Sequence, residues 1–228
     1  MNSRHPLEVY RFFRDELEAP YIQFIPIVEK DNETGNQEGD RVTARSVSAK
    51  AYGRFLIRIF DEWVTRDVGS MFVQVFDGVL ASYVRGFSSL CVFQQMCGDG
   101  VALEHNGDVY SCDHYVEPAH LLGNIGGTSI EKLVMSRQQR AFGAAKSNAL
   151  PKCCGECSFQ FTCYGGCPKN RILPASDGTG KINWLCDGLK MFFTHTRYPM
   201  ESMARLLRTG REVREIMKNT SGSPSLVG

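Results

Sequence analysis

Residues 154–167 read Cys-Gly-Glu-Cys-Ser-Phe-Gln-Phe-Thr-Cys-Tyr-Gly-Gly-Cys, four cysteines spaced C-x2-C-x5-C-x3-C in one short stretch. A tight turn over C-x2-C presents two thiolates to one metal centre, and distant cysteines close the shell. Working outward, Cys91-x5-Cys97-x14-Cys112 precedes this run, Cys153 adjoins it, and Cys186 follows after x18. Thiolate is a soft ligand that selects zinc, Cu(I) or iron–sulfur clusters, and four cysteines are the usual shell of a four-iron cluster. Eight cysteines divide into two sets of four. Adjacent side chains rarely serve one tetrahedral site, so Cys153 or Cys154 is left over. Cys154 makes the C-x2-C spacing, and Cys153 is the bystander. Scattered core thiols do not explain five cysteines between 153 and 167 among Gly155, Gly165 and Gly166. Spacing alone leaves two zinc sites of four cysteines each as the rival to two clusters.

The rest of the composition is that of an ordinary soluble protein: 228 residues, 43% hydrophobic, formal net charge +1. This balance steers the chain toward neither nucleic acid nor a membrane surface. Met1 to Tyr10 has no apolar core followed by small residues, so no secretory leader is read there. The longest apolar runs, such as Tyr21 to Val28, fall short of the roughly 20 residues of a membrane span. The expected location is the cytoplasm, where an odd, dense set of cysteines points to metal rather than to disulfides.

The first 86 residues read as parallel α/β structure. Pro6 opens a helix, Tyr21 to Val28 (YIQFIPIV) reads as a strand covered on both faces, and 29–45 reads as a polar loop. Ser48 caps a second helix whose inward stripe is Tyr52, Phe55, Leu56, Ile59, Phe60 and Trp63. Met71 to Phe76 reads as another buried strand. Two strands close no barrel, so the segment looks like the end of a larger α/β domain. Beyond residue 87 the texture turns to cysteines, glycines and short elements. Val101 to Glu104 and Asp108 to Cys112 flank His105-Asn106-Gly107, a strong hairpin signal. Ser129 to Lys146 reads as one helix and Pro199 to Lys218 as the last, followed by a polar tail, 219–228, expected to fray.

At the cysteines the chain closely resembles the anaerobic sulfatase-maturating enzymes, members of the radical S-adenosylmethionine superfamily with a C-terminal SPASM domain. The motif is carried by Cys97-x9-Gly107-x4-Cys112, Cys154-x2-Cys157-x5-Cys163-x3-Cys167 and Cys186, with Cys91 matching an additional ligand. The resemblance extends over Tyr21 to Glu29, Ala102 to Asp108, Ser111 to His114, Leu122 to Ile125 and Cys167 to Arg171. It implies two auxiliary 4Fe-4S clusters, one on Cys91, Cys97, Cys112 and Cys167, the other on Cys154, Cys157, Cys163 and Cys186. Relatives oxidise a sulfatase cysteine or serine to formylglycine. A 5′-deoxyadenosyl radical takes a hydrogen from the β-carbon, a carboxylate takes the thiol or hydroxyl proton, and the electron leaves through a cluster. Asp113 matches that carboxylate, and Val28 matches a position near the adenine of S-adenosylmethionine. Read without the resemblance, Asp113 is a solvated turn aspartate and Val28 a buried strand valine.

Radical generation in that superfamily uses a third 4Fe-4S cluster on C-x3-C-x2-C, which binds S-adenosylmethionine, and this chain contains no such triplet. The implied fold is the C-terminal part of a partial (β/α)6 barrel over 1–86, a cysteine-rich α+β SPASM domain over 87–197, and a C-terminal helix and tail over 198–228. The expected role is the auxiliary-cluster and substrate-binding portion of the enzyme, a truncated frame, fragment or half of a split protein, inactive without the missing barrel half. Implied partners are a sulfatase polypeptide, a separate N-terminal half, and a reductant such as flavodoxin or ferredoxin. The alternatives are a stand-alone iron–sulfur electron carrier or peptide binder, a SPASM enzyme with another peptide substrate, and a zinc-binding interaction module. His105, His114, His120 and His195 are spare once the cysteine shells are full. Arg205, Arg208, Arg211 and Arg214 read as a solvated helix face.

Overall fold

In the computed structural model, residues 2–220 are described. They divide into two compact units, each discontinuous in sequence. The first unit takes the segments 2–27, 47–90 and 184–220, and the second takes 28–46 and 91–183.

The first unit is built on helix α2 (Ala49–Arg66). The Ser48 hydroxyl accepts a hydrogen bond from the Ala51 amide at 3.3 Å, the expected cap. All six residues of the expected stripe are buried. Phe60 meets Phe76 edge-to-face at 5.2 Å and Phe192 at 6.0 Å, and the Trp63 indole donates to the Met71 carbonyl at 2.7 Å. Phe192 belongs to α8 (Cys186–Arg208), which crosses α2 near its own first turn. The crossing is glycine on glycine. A Cβ on Gly188 would stand 1.9 Å from the Ala49 carbonyl oxygen, and one on Gly53 would stand 2.6 Å from the Gly188 oxygen.

Ahead of α2 come α1 (Pro6–Arg11), prolonged by a π turn over Phe12–Glu16, and β1 (Tyr21–Ile22). After it come β2 (Phe72–Val73) and α3 (Gln74–Arg85). β1 and β2 pair in parallel, Tyr21 opposite Phe72 and Ile22 opposite Val73. Both expected strands need correction. The strand read over Tyr21–Val28 ends at Ile22, and it is not covered on both faces, since Tyr21, Ile25 and Ile27 are exposed. The strand read over Met71–Phe76 gives way after Val73 to α3, whose apolar face begins inside the same run. Likewise the helix expected from Pro199 begins at Cys186, with Pro199 inside it, and ends at Arg208. The chain then turns through Val213–Glu215 into α9 (Ile216–Thr220). The four arginines are exposed but divided between these elements. The tail expected to fray lies, from 221 onward, outside the described residues.

Glu62 and Asp67, both buried, anchor the N-terminal segment. Arg11 reaches Glu62 at 2.6 Å, and Arg14 reaches Glu62 at 2.8 Å and Asp67 at 3.0 Å. Tyr10 donates to Asp67 at 2.8 Å. The hydrogen bond from Arg11, assisted by Arg14, holds the Glu62 carboxyl below its usual range. A depressed folded pKa stabilises above the unfolded value, about 4.3 for glutamate, and this stabilisation is lost as pH falls through the folded value. Glu62→Gln is expected to cost about 1.5–3 kcal/mol at neutral pH, the range for hydrogen bonds to a charged group. It should also remove part of the acid sensitivity in urea unfolding below about pH 4.3, from the unfolded carboxylate value down through the folded one. Equal stability of the two proteins at pH 7 would count against this network.

The second unit carries the expected hairpin. β3 (Ala102–Leu103) and β4 (Asp108–Tyr110) are antiparallel, and Gly107 at the turn has φ +87°. A third strand, β5 (Leu121–Asn124), pairs antiparallel with β4. The helix read over Ser129–Lys146 is broken at Ser136 into α4 (Ile130–Val134) and α5 (Arg137–Asn148), because Ser129 and Ser136 each cap a new start. Two single-turn helices follow, α6 (Lys152–Gly155) and α7 (Gln160–Cys163). An antiparallel pair, β6 (Arg171–Pro174) and β7 (Lys181–Asn183), completes the unit. The polar stretch 29–45 is a loop closed by one bridge, Lys30 to Val42. Among the described residues no helix is long and apolar enough to cross a membrane.

Candidate metal centres

Four of the expected ligands lie in the second unit on separate segments. Cys91 opens a one-turn 3-10 helix, Cys97 follows in a loop, Cys112 stands just past β4, and Cys167 follows the α7 turn. Electrostatic coupling links them as a chain: Cys91 with Cys97, Cys97 with Cys167, and Cys167 with Cys112. Burial pushes the Cys112 thiol up to about 12 and the Cys167 thiol up to about 11, and it raises that of Cys97. Neighbouring thiols add to these shifts. Thiols so placed ionise readily only against a cation, which is the condition a metal centre supplies.

Helix α5 gathers three of these segments although it contributes no thiol. Its buried face is Gln139, Gly143 and Lys146, at helical spacing. The Gln139 amide donates to the Gly98 carbonyl at 2.8 Å and the Ser111 carbonyl at 3.0 Å, tying the residue after Cys97 to the residue before Cys112. Cys97 N donates to the Gly143 carbonyl at 3.2 Å, and a Cβ on Gly143 would meet the Cys97 oxygen at 2.4 Å. Lys146 donates to the carbonyls of Cys91 at 2.7 Å and Val92 at 3.1 Å. Arg171 in turn donates to the carbonyls of Lys146 at 2.7 Å and Tyr164 at 2.9 Å. Sequence reasoning missed the part played by Gln139, Gly143, Lys146 and Arg171. A buried face of Gln, Gly and Lys carries no apolar periodicity, and the one usable sign was the glycine at helical spacing between two polar residues.

The remaining expected ligands lie on tight turns, apart from Cys186. Cys157 N donates to the Cys154 carbonyl at 3.3 Å, closing the C-x2-C turn, and Cys163 ends α7. Tyr164, Gly165 and Gly166 are all left-handed, with φ of +44°, +70° and +63°. This run reverses the chain between Cys163 and Cys167. Cys186 is the first residue of α8 in the other unit. A thiolate there benefits from the helix dipole. Cys153 is partly exposed.

Asp113 is exposed, with Oδ1 3.1 Å from Cys112 Sγ and 3.0 Å from His114 Nδ1. The thiol hydrogen bond and then the histidine hold its carboxyl below the usual range. Ligand atoms of Cys112, Asp113 and His114 lie within 4.8 Å of one another. Val28 is buried in the second unit but stands beyond β1, so its expected place at a strand end is corrected.

The SPASM family, an iron–sulfur cluster-binding domain, matches residues 91–158. The serine-type anaerobic sulfatase-maturating enzyme of Bacteroides thetaiotaomicron is 40% identical over 228 residues, 95% of this chain and 54% of that protein. The serine-type enzyme of Klebsiella pneumoniae is 32% identical over 190 residues, 83% of this chain and 44% of that protein. A cysteine-type enzyme of Clostridium perfringens is 28% identical over 195 residues, 85% of this chain and 50% of that protein. Among solved structures, native anSMEcpe with bound AdoMet and Cp18Cys peptide aligns with a TM-score of 0.77 at 27% identity, over 90% of this chain and 55% of that one. The chain spans about half the length of the curated relatives it matches. It therefore carries a SPASM iron–sulfur domain and corresponds to the C-terminal portion of the anaerobic sulfatase-maturating radical S-adenosylmethionine enzymes.

Proposed function

We propose that this chain is the auxiliary-cluster and substrate-binding portion of an enzyme that oxidises a sulfatase cysteine or serine to formylglycine. The observation that carries the reading is the electrostatic coupling of Cys91, Cys97, Cys112 and Cys167 in one partly exposed neighbourhood of a SPASM domain. These four would hold one 4Fe-4S cluster, and Cys154, Cys157, Cys163 and Cys186 would hold the second. In this reading residues 1–86 are the trailing part of a partial (β/α)6 barrel, 87–197 the SPASM domain and 198–228 the terminal segment. The parallel β1–β2 pair followed by α3 supports the barrel part.

S-adenosylmethionine and its cluster, when bound, supply the abstraction of hydrogen from the substrate β-carbon. The protein's own part is to position the sulfatase residue and to take its proton. Asp113 has the exposure for that task, and its place beside Cys112 sets the base next to the proposed electron acceptor. Val28 would contribute apolar surface toward the adenine. The chain has no C-x3-C-x2-C, so formation of the product is proposed to require a barrel half that carries it, with a flavodoxin or ferredoxin as reductant.

Anaerobic reconstitution followed by iron, sulfide and zinc analysis tests the reading. Two four-iron clusters correspond to about eight irons per chain, and stoichiometric zinc without sulfide would sink the proposal. The isolated chain should form no 5′-deoxyadenosine from S-adenosylmethionine. Supplied with a barrel half bearing the triplet, Asp113→Asn should abolish formylglycine formation at unchanged iron content. Normal turnover by that variant would take Asp113 out of the mechanism.

A further inference from the structure

Lys146 and Arg171 are the two cations of the second unit buried most deeply, 1% and 9% exposed. Every hydrogen bond found for either among the described residues ends on a carbonyl oxygen. No carboxylate among the described residues stands within ion-pair distance of either. A buried cation without a counter-charge is costly and is not retained without compensation. The groups in reach that can become negative are thiols and, for Arg171, the Tyr115 phenol. Lys146 interacts electrostatically with Cys97, Cys167 and Cys91, and Arg171 with Cys154, Cys97 and Cys167.

From this placement we propose that Lys146 and Arg171 are the counter-charges of the thiolate-bound clusters and set their reduction potentials, Lys146 for the Cys91/Cys97/Cys112/Cys167 centre alone and Arg171 for both. The inference rests on the cluster reading given above. Net charge and hydrogen bonding around a cluster tune its potential. Reduction adds a negative charge, so a cation nearby favours the reduced form, and in a dry site the effect is larger than in water. Arg171 reaches a thiol of each proposed set, whereas the thiols that Lys146 meets all belong to one set. The guanidinium stays charged throughout the accessible pH range.

The test is an EPR-monitored redox titration of the anaerobically reconstituted full chain, with iron and sulfide measured on each sample. Cys91→Ala identifies which couple belongs to the first centre. Lys146→Gln keeps a donor for the Cys91 carbonyl and removes the charge. It is expected to lower that couple alone by at least tenfold in the reduction equilibrium, about 59 mV for one electron. Lys146→Arg should restore the original midpoint, a result that loss of packing would not produce. Arg171→Gln should lower both couples, and it carries the test by itself if Lys146→Gln loses its iron. Full iron content with unmoved midpoints in both variants would overturn the inference while leaving the clusters in place. Failure of the unaltered chain to hold iron and sulfide would overturn the cluster reading and the inference with it.

Discussion

Gly143→Ala is expected to halve the iron held by the anaerobically reconstituted protein, from about eight atoms to about four. In an ordinary helix the same change stabilises by about 1 kcal/mol, because alanine is the better helix former. Here the added methyl would lie 2.4 Å from the Cys97 carbonyl oxygen and 3.4 Å from its carbon. Both are backbone atoms, which cannot swing aside as a long side chain can. Helix α5 must back away, and the Cys97 amide then loses its bond to the Gly143 carbonyl. Overpacking of this kind costs about 1–3 kcal/mol, and in this place it also moves a proposed ligand. Gly100→Ala is the control, since nothing lies within 4 Å of a Cβ there. Equal iron in Gly143→Ala and the control would show that α5 does not position Cys97.

Gly188→Ala should have the largest effect on stability. Its methyl would stand 1.9 Å from the Ala49 oxygen and 2.7 Å from the Ala49 carbon, at the point where α8 crosses α2. Separation of the helices there would loosen the ring cluster of Phe60, Phe76 and Phe192. A loss of about 3 kcal/mol corresponds to a fall in thermal midpoint of about 6–12 °C for a chain of this size. An unchanged midpoint in circular dichroism melting would remove the glycine contact from the account of this unit.

The parts of the fold legible in the sequence were those with one strong local cause. The α2 stripe and Ser48 cap, and the Asn106-Gly107 turn between β3 and β4, follow from periodicity and turn chemistry alone. The segment 71–76 misled because Met-Phe-Val-Gln-Val-Phe satisfies a strand's composition while its last residues already start a helix. Pro199 misled because proline most often opens a helix, yet here it is buried within one. At the site, cysteine spacing exposed the thiols but not what gathers them. Gln139, Lys146 and Arg171 act through bonds to carbonyls far away in sequence, and no local pattern records such partners.

Because α5 donates no thiolate, the bonds that fasten the loops of the proposed first centre to it are not metal–ligand bonds. The loops bearing Cys91, Cys97 and Cys112 are fastened to the helix by bonds that no chelator touches. Small domains that fold around zinc lose their shape when the ion is withdrawn. If air destroys the proposed cluster, these bonds remain to hold the loops on α5, while Lys146 and Arg171 lose the counter-charge proposed for them. Repair would then be a matter of delivering iron and sulfide to loops that are already held.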